Sequence, residues 1–107
     1  MSSFEFGDIV LLKFPFTGGS DIKKRPAMVV KDTGDGDFIV CRITSQVYNT
    51  VYDFRVIDWK NYGLKLPSTI RLHKIATLEK ELAIQIIGKL DKNLKLDVKN
   101  IISNILS

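Results

Sequence analysis

Three consecutive stretches decide the fold class: Pro26-Ala27-Met28-Val29-Val30-Lys31, then Asp32-Thr33-Gly34-Asp35-Gly36-Asp37, then Phe38-Ile39-Val40-Cys41-Arg42-Ile43-Thr44-Ser45. The outer two are apolar runs rich in β-branched residues. The middle one is built from residues that tolerate positive φ, so the unit reads as two strands joined by a hairpin-like turn. Strand alternation then puts Phe38, Val40 and Arg42 on one side of the third strand and Ile39, Cys41 and Ile43 on the other. Toward the N-terminus, Ile9 to Phe14 is a further strand, ended by Pro15 and the turn-forming Thr17-Gly18-Gly19-Ser20-Asp21. Toward the C-terminus, Val51 to Trp59, a shorter Ile70 to Ile75 and Ala83 to Ile87 complete the strand candidates. Short strands at this spacing favour a small barrel or sandwich.

The tail changes period. Leu94, Val98, Ile101, Ile102, Ile105 and Leu106 fall on one helical stripe, with Asp91 or Asn93 available to cap its start. A mainly β domain closed by a C-terminal amphipathic helix is the expected architecture, the stripe packing on its own sheet. No repeat, linker or low-complexity stretch interrupts the 107 residues, so a single domain over 1–107 is expected.

Composition narrows the function classes. With 45% apolar and 26% charged residues, the chain reads as an ordinary globular domain with one modest core. No run approaches the roughly 18 apolar residues of a membrane span. The first residues lack a basic region followed by an apolar stretch, so no secretory signal is read there and a cytoplasmic location is expected. Cys41 is the single cysteine and lies in the apolar run Phe38-Ile39-Val40-Cys41, where a buried structural thiol is expected. Residues 1–50 hold six basic and six acidic side chains, residues 51–107 ten and six, so the net +4 lies in the second half. That permits a polyanionic partner without demanding one.

One histidine, one cysteine and scattered carboxylates offer neither a zinc set nor a two-metal carboxylate cluster, so no metal and no other cofactor is expected. Phosphate-loop and nucleophile-elbow motifs are absent too. Three polar groups remain. Lys23-Lys24-Arg25-Pro26 precedes an apolar strand, and proline biases Arg25 toward an extended backbone. A guanidinium fixed there suits a phosphate clamp, although an exposed basic turn would read the same. Thr44, Ser45 and Gln46 stand where the third strand gives way to a polar loop, able to donate to phosphate oxygens or a base edge. Threonine is equally an ordinary strand residue. In Arg71-Leu72-His73-Lys74, strand alternation puts Arg71 and His73 on one side, about 7 Å apart. That pairs a histidine titrating near neutrality with a permanent cation, or decorates a solvated edge strand with charge.

Taken in order, these pieces resemble the MazF/PemK family of toxins across nearly the whole chain. Gly7-Asp8-Ile9-Val10 with Phe14-Pro15-Phe16-Thr17 looks like the family's first strand and loop. Lys24-Arg25-Pro26-Ala27-Met28-Val29-Val30 looks like its Arg-Pro-Ala-Val-Val motif, the most specific element. Ile43-Thr44-Ser45-Gln46 resembles its Thr-Ser or Thr-Thr turn, and Gly88-Lys89-Leu90 its approach to the last helix. The resemblance implies an SH3-like small β-barrel of the MazF/PemK/CcdB-like kind that forms a homodimer. It implies an endoribonuclease toxin that cuts single-stranded RNA, often mRNA, at short sequences without a metal. A cognate antitoxin would occupy the RNA groove. Cleavage would proceed by attack of a 2′-hydroxyl on the adjacent phosphorus, leaving a 2′,3′-cyclic phosphate and a 5′-hydroxyl. On this resemblance Arg25 and Thr44 are the catalytic candidates, joined by Arg71 and His73. Thr17, Lys23, Lys24, Ser45, Gln46 and Lys74 are expected to bind RNA.

One departure stands out. Several members carry an Arg-x-Asp-Gln arrangement, and Arg71 aligns with its arginine, but His73 and Lys74 replace the acidic residue and the glutamine. Where that acidic residue is the proposed base for the 2′-hydroxyl, His73 in its neutral form is the expected substitute. The alternatives are a non-catalytic member of the same fold, binding a protein target as gyrase-poisoning relatives do or holding nucleic acid without cutting it, and a generic SH3-like adaptor.

Overall fold

The hairpin forms where its residue types place it. In the computed structural model, which describes residues 3–14 and 23–107, Gly34 and Gly36 take φ of 79° and 95° at its tip. Asp32 Oδ1 accepts from the Gly34 amide at 3.0 Å, and Asp35 Oδ1 accepts from the Thr33 hydroxyl at 2.6 Å and the Asp37 amide at 3.2 Å. These short side chains supply the partners that a tight turn denies its backbone. The flanking strands are β2 (Lys23–Asp32) and β3 (Asp37–Thr44); around them lie β1 (Asp8–Phe14), β4 (Asp53–Val56), β5 (Ser68–Glu79), β6 (Ala83–Lys89) and helix α1 (Lys92–Leu106). Two single-turn 3-10 segments, Trp59–Tyr62 and Lys80–Leu82, were not anticipated.

All six strands join one antiparallel sheet in the order β4-β5-β3-β2-β1-β6. The mainly β architecture with a C-terminal helix is as expected. The end strands β4 and β6 do not pair with each other among the described residues, so the barrel is open. β5 is longer than Ile70 to Ile75 and lies between β4 and β3, which corrects its reading as an edge strand. Its ladder with β3 steps from Cys41↔Ile75 to Arg42↔Arg71, leaving Leu72, His73 and Lys74 opposite a single peptide step. Such a bulge breaks the alternation on which a sequence reading relies.

Alternation elsewhere sorts the core onto the two sheet faces. Ile9, Met28, Cys41, Ile43, Ile70 and Leu72 pack with Val98 of α1 in one cluster; Val10, Leu12, Ala27, Val29, Phe38 and Val40 form the other. Leu94, Ile101, Ile102 and Ile105 lay the helix stripe on the first cluster, while Leu106 stays exposed. Of the two capping candidates Asp91 acts, its Oδ1 accepting from the Leu94 amide at 2.9 Å and its Oδ2 from the Tyr62 hydroxyl at 3.1 Å.

Candidate active site

The basic run Lys23-Lys24-Arg25, expected directly before the strand that starts at Pro26, is itself the first part of β2. It pairs with β1 through Phe14↔Lys23, Lys13↔Lys24 and Leu12↔Arg25, while its three side chains stay exposed. Pairing thus fixes the backbone of Arg25 without burying its guanidinium. The ladder between β2 and β3 reaches Ala27↔Arg42, and Arg25 and Thr44 each stand two residues beyond it on their strands. Two residues on is the same face. Arg25 and Thr44 therefore share the sheet face of Val40 and Arg42, and Thr44 faces Thr69 across the next ladder.

That face opens into a groove of about 960 Å³. Its floor is apolar, with Leu12, Ala27, Val40 and Leu78 from the second core cluster. Around it stand Lys23, Lys24, Arg25, Arg42, Lys65 and Lys74 with Thr44, Ser45, Gln46 and Gln85, and no carboxylate appears among the described lining residues. Six cations over an apolar floor form a positive concavity, of a kind that suits a polyanion. Thr44 Oγ1 accepts from the Gln46 amide at 3.2 Å, which leaves the threonine's own hydroxyl hydrogen to donate.

Of the expected site residues, Lys23, Lys24, Arg25, Thr44, Ser45, Gln46 and Lys74 come together in this groove. Thr17 lies outside the described residues. Arg71 and His73 do not line it. Arg71 is only 7% exposed; its Nε donates to Asp53 Oδ1 at 2.8 Å, and its guanidinium carbon lies 3.5 Å from the Tyr48 ring centre. Burial works against the Asp53 charge, but hydrogen bonds from Arg71 and Thr50 outweigh it and hold the carboxyl at about 2. His73 sits in the β5 bulge with its ring 5.4 Å from that of Tyr52, and its Nδ1 is buried without a hydrogen-bond partner. The expected acid–base pair facing a groove is instead two side chains packed under the loop that follows β3.

Arg42, Lys65 and Asp53 were missed. Arg42 was legible, since it alternates with the buried Val40; nothing local marks Asp53 as the partner of a residue eighteen positions on. Cys41 is fully buried, its Sγ donating to the Leu72 carbonyl at 3.6 Å, and burial pushes its thiol up to about 12. Among the described residues no three of His, Cys, Asp and Glu gather to hold a metal ion, and no helix is long and apolar enough to cross a membrane.

Solved structures share this architecture. A Mycobacterium tuberculosis toxin, MazF-mt6, superimposes with a TM-score of 0.76 at 18% identity, covering 92% of this chain and 95% of that one. A MazE-MazF structure from Deinococcus radiodurans gives 0.77 at 16% identity over 100% and 98%. An endoribonuclease in complex with its cognate antitoxin from a mycobacterial species gives 0.75 at 13% identity over 97% and 95%. At such identities these likenesses establish the fold. No curated protein matches the chain significantly. The family of PemK-like, MazF-like toxins of type II toxin-antitoxin systems matches residues 5–106. That span takes in every strand, the helix and the whole groove, and the chain belongs to this toxin family.

Proposed function

We propose that the groove binds single-stranded RNA, mRNA included, and that Arg25 and Thr44 cut it there as a sequence-specific endoribonuclease without a metal. The observation that carries this reading is the pairing of an exposed arginine and a hydroxyl donor on one face of adjacent strands, inside a concavity lined by six cations and no described carboxylate. Among the described residues the lining holds no carboxylate, histidine or cysteine, which suits a phosphate better than a divalent ion. The strand of RNA supplies its own nucleophile. Its 2′-hydroxyl gives up its proton to solvent as the oxygen bonds to the adjacent phosphorus and the P–O5′ bond breaks. The leaving O5′ takes a proton from solvent, and charge gathers on the non-bridging oxygens on the way. The planar fork of Arg25 meets that charge with parallel N–H donors, and the Thr44 hydroxyl adds another.

Family membership, together with a solved neighbour held in complex with its cognate antitoxin, supports an antitoxin partner that covers this groove, and action as a homodimer in the cytoplasm. The groove chemistry favours RNA cleavage over a gyrase-poison-like protein target, which would not require a cationic trough. Incubation of wild type and Arg25→Ala with a long RNA tests the assignment. Wild type should fragment it while Arg25→Ala is slower by about 10²–10³, the usual worth of one oxyanion-type donor. Equal rates would remove Arg25 from the site.

A further inference from the structure

The loop from Ser45 to Tyr52 is held to β5 at Tyr48 and Tyr52 and to β4 at Thr50. Arg71, clamped by Asp53, stacks on the Tyr48 ring. Asp53 Oδ2 accepts from the Thr50 amide at 3.0 Å and its hydroxyl at 2.7 Å, and the Tyr52 carbonyl accepts from the Leu72 amide at 3.0 Å. At the groove end, the Tyr48 hydroxyl donates to Gln46 Oε1 at 2.8 Å. A continuous path of contacts therefore runs from Asp53 through Arg71 and Tyr48 to an exposed amide lining the groove.

We propose that Tyr48, seated on Arg71, is a positioning residue that presents Gln46 as a hydrogen-bond donor to one base of the bound strand. The inference rests on the RNA-cutting reading of the groove. Its chemistry follows from the inventory of a primary amide, which has one carbonyl acceptor and two N–H donors. With Oε1 engaged by Tyr48, the amide has its donors to offer. A base that meets it with the carbonyl at C4 of uracil or C6 of guanine is favoured over one that meets it with the exocyclic amine at C4 of cytosine or C6 of adenine. Arg71 thereby serves the reaction from behind the groove wall, and a stacked guanidinium holds the ring in place before RNA arrives, so less ordering cost falls on binding.

Two measurements on the full chain test this. The first needs no activity: Tyr48→Phe keeps the ring on Arg71 and removes the hydroxyl, so the Gln46 side-chain amide should become mobile by NMR relaxation while the thermal midpoint stays near that of wild type. The second maps cleavage ends on a long transcript for wild type, Tyr48→Phe, Gln46→Ala and the double variant. Wild type should prefer uracil or guanine at one position, and Tyr48→Phe should relax that preference by about tenfold, the worth of one net hydrogen bond, through KM more than kcat. In the Gln46→Ala background Tyr48→Phe should add nothing. A Gln46 amide equally ordered in wild type and Tyr48→Phe overturns the positioning role. Additive effects, or adenine or cytosine at the position that Gln46→Ala relaxes, overturn the base-reading role. A wild type that leaves RNA intact defeats the nuclease reading and base reading together, while the NMR result still decides the positioning role by itself.

Discussion

Asp53 gathers hydrogen bonds from both Arg71 and Thr50, yet it lines no part of the groove. Its carboxyl is lowered from 3.8 to about 2. A carboxylate whose folded-state pKa lies below its unfolded value contributes stability that is complete above about pH 4 and is lost as pH falls through 2. Wild type should therefore lose on the order of 2 kcal/mol across that window from this residue. In a urea-unfolding series from pH 5 to 2, Asp53→Asn should show a correspondingly shallower decline; parallel curves would mean the pair contributes nothing to folding. His73 makes a separate case. It lies beside Tyr52 and outside the groove lining that holds Arg25 and Thr44. The pH–rate profiles of wild type and His73→Ala should then superimpose, whereas a flattened acidic limb in the variant would make His73 the base that its alignment with the family's acidic residue suggested.

Among the elements, α1 depends on one cap. Asp91→Ala removes the acceptor for the Leu94 amide and the partner of Tyr62, and should cost about 1 kcal/mol or somewhat more in chemical unfolding. A change within error would mean the helix is held by its apolar stripe alone. The 3-10 turn at Trp59–Tyr62 ends on Gly63, whose φ of 74° and whose missing Cβ, which would lie 1.9 Å from the Ile87 carbonyl oxygen, let the chain cross β6. The hairpin and the helix were legible because their signals are local: glycines and aspartates at a turn, a stripe at helical spacing. β5 was not, because its bulge between Arg71 and Ile75 destroys the two-residue period. Lys23 to Arg25 fall outside the strand as read from sequence because exposed side chains look alike on a loop and on a strand paired only through its backbone. The motifs around Arg25 and Thr44 drew attention to two residues that the structure brings onto one groove face. The pairing of Asp53 with Arg71 exists only in three dimensions, so the sequence singled out Arg71 but not the partner through which it organises the loop after β3.

At the scale of the whole molecule, the sheet ends at β4 and β6 and carries Ile84 and Ile86 exposed on β6, while Gln85 of the same strand lines the cationic groove. Sedimentation at micromolar concentration should report a species of twice 12.1 kDa; a strict monomer that cuts RNA would contradict action as a homodimer. On the proposed function this cationic groove turns RNA's own 2′-hydroxyl on its backbone with no metal. The most direct measurement incubates pure protein with a long single-stranded RNA in excess EDTA and analyses the new ends. Cleavage should persist and leave 2′,3′-cyclic phosphates facing 5′-hydroxyls; intact RNA, activity that requires added magnesium, or fragments bearing 5′-phosphates would contradict the account.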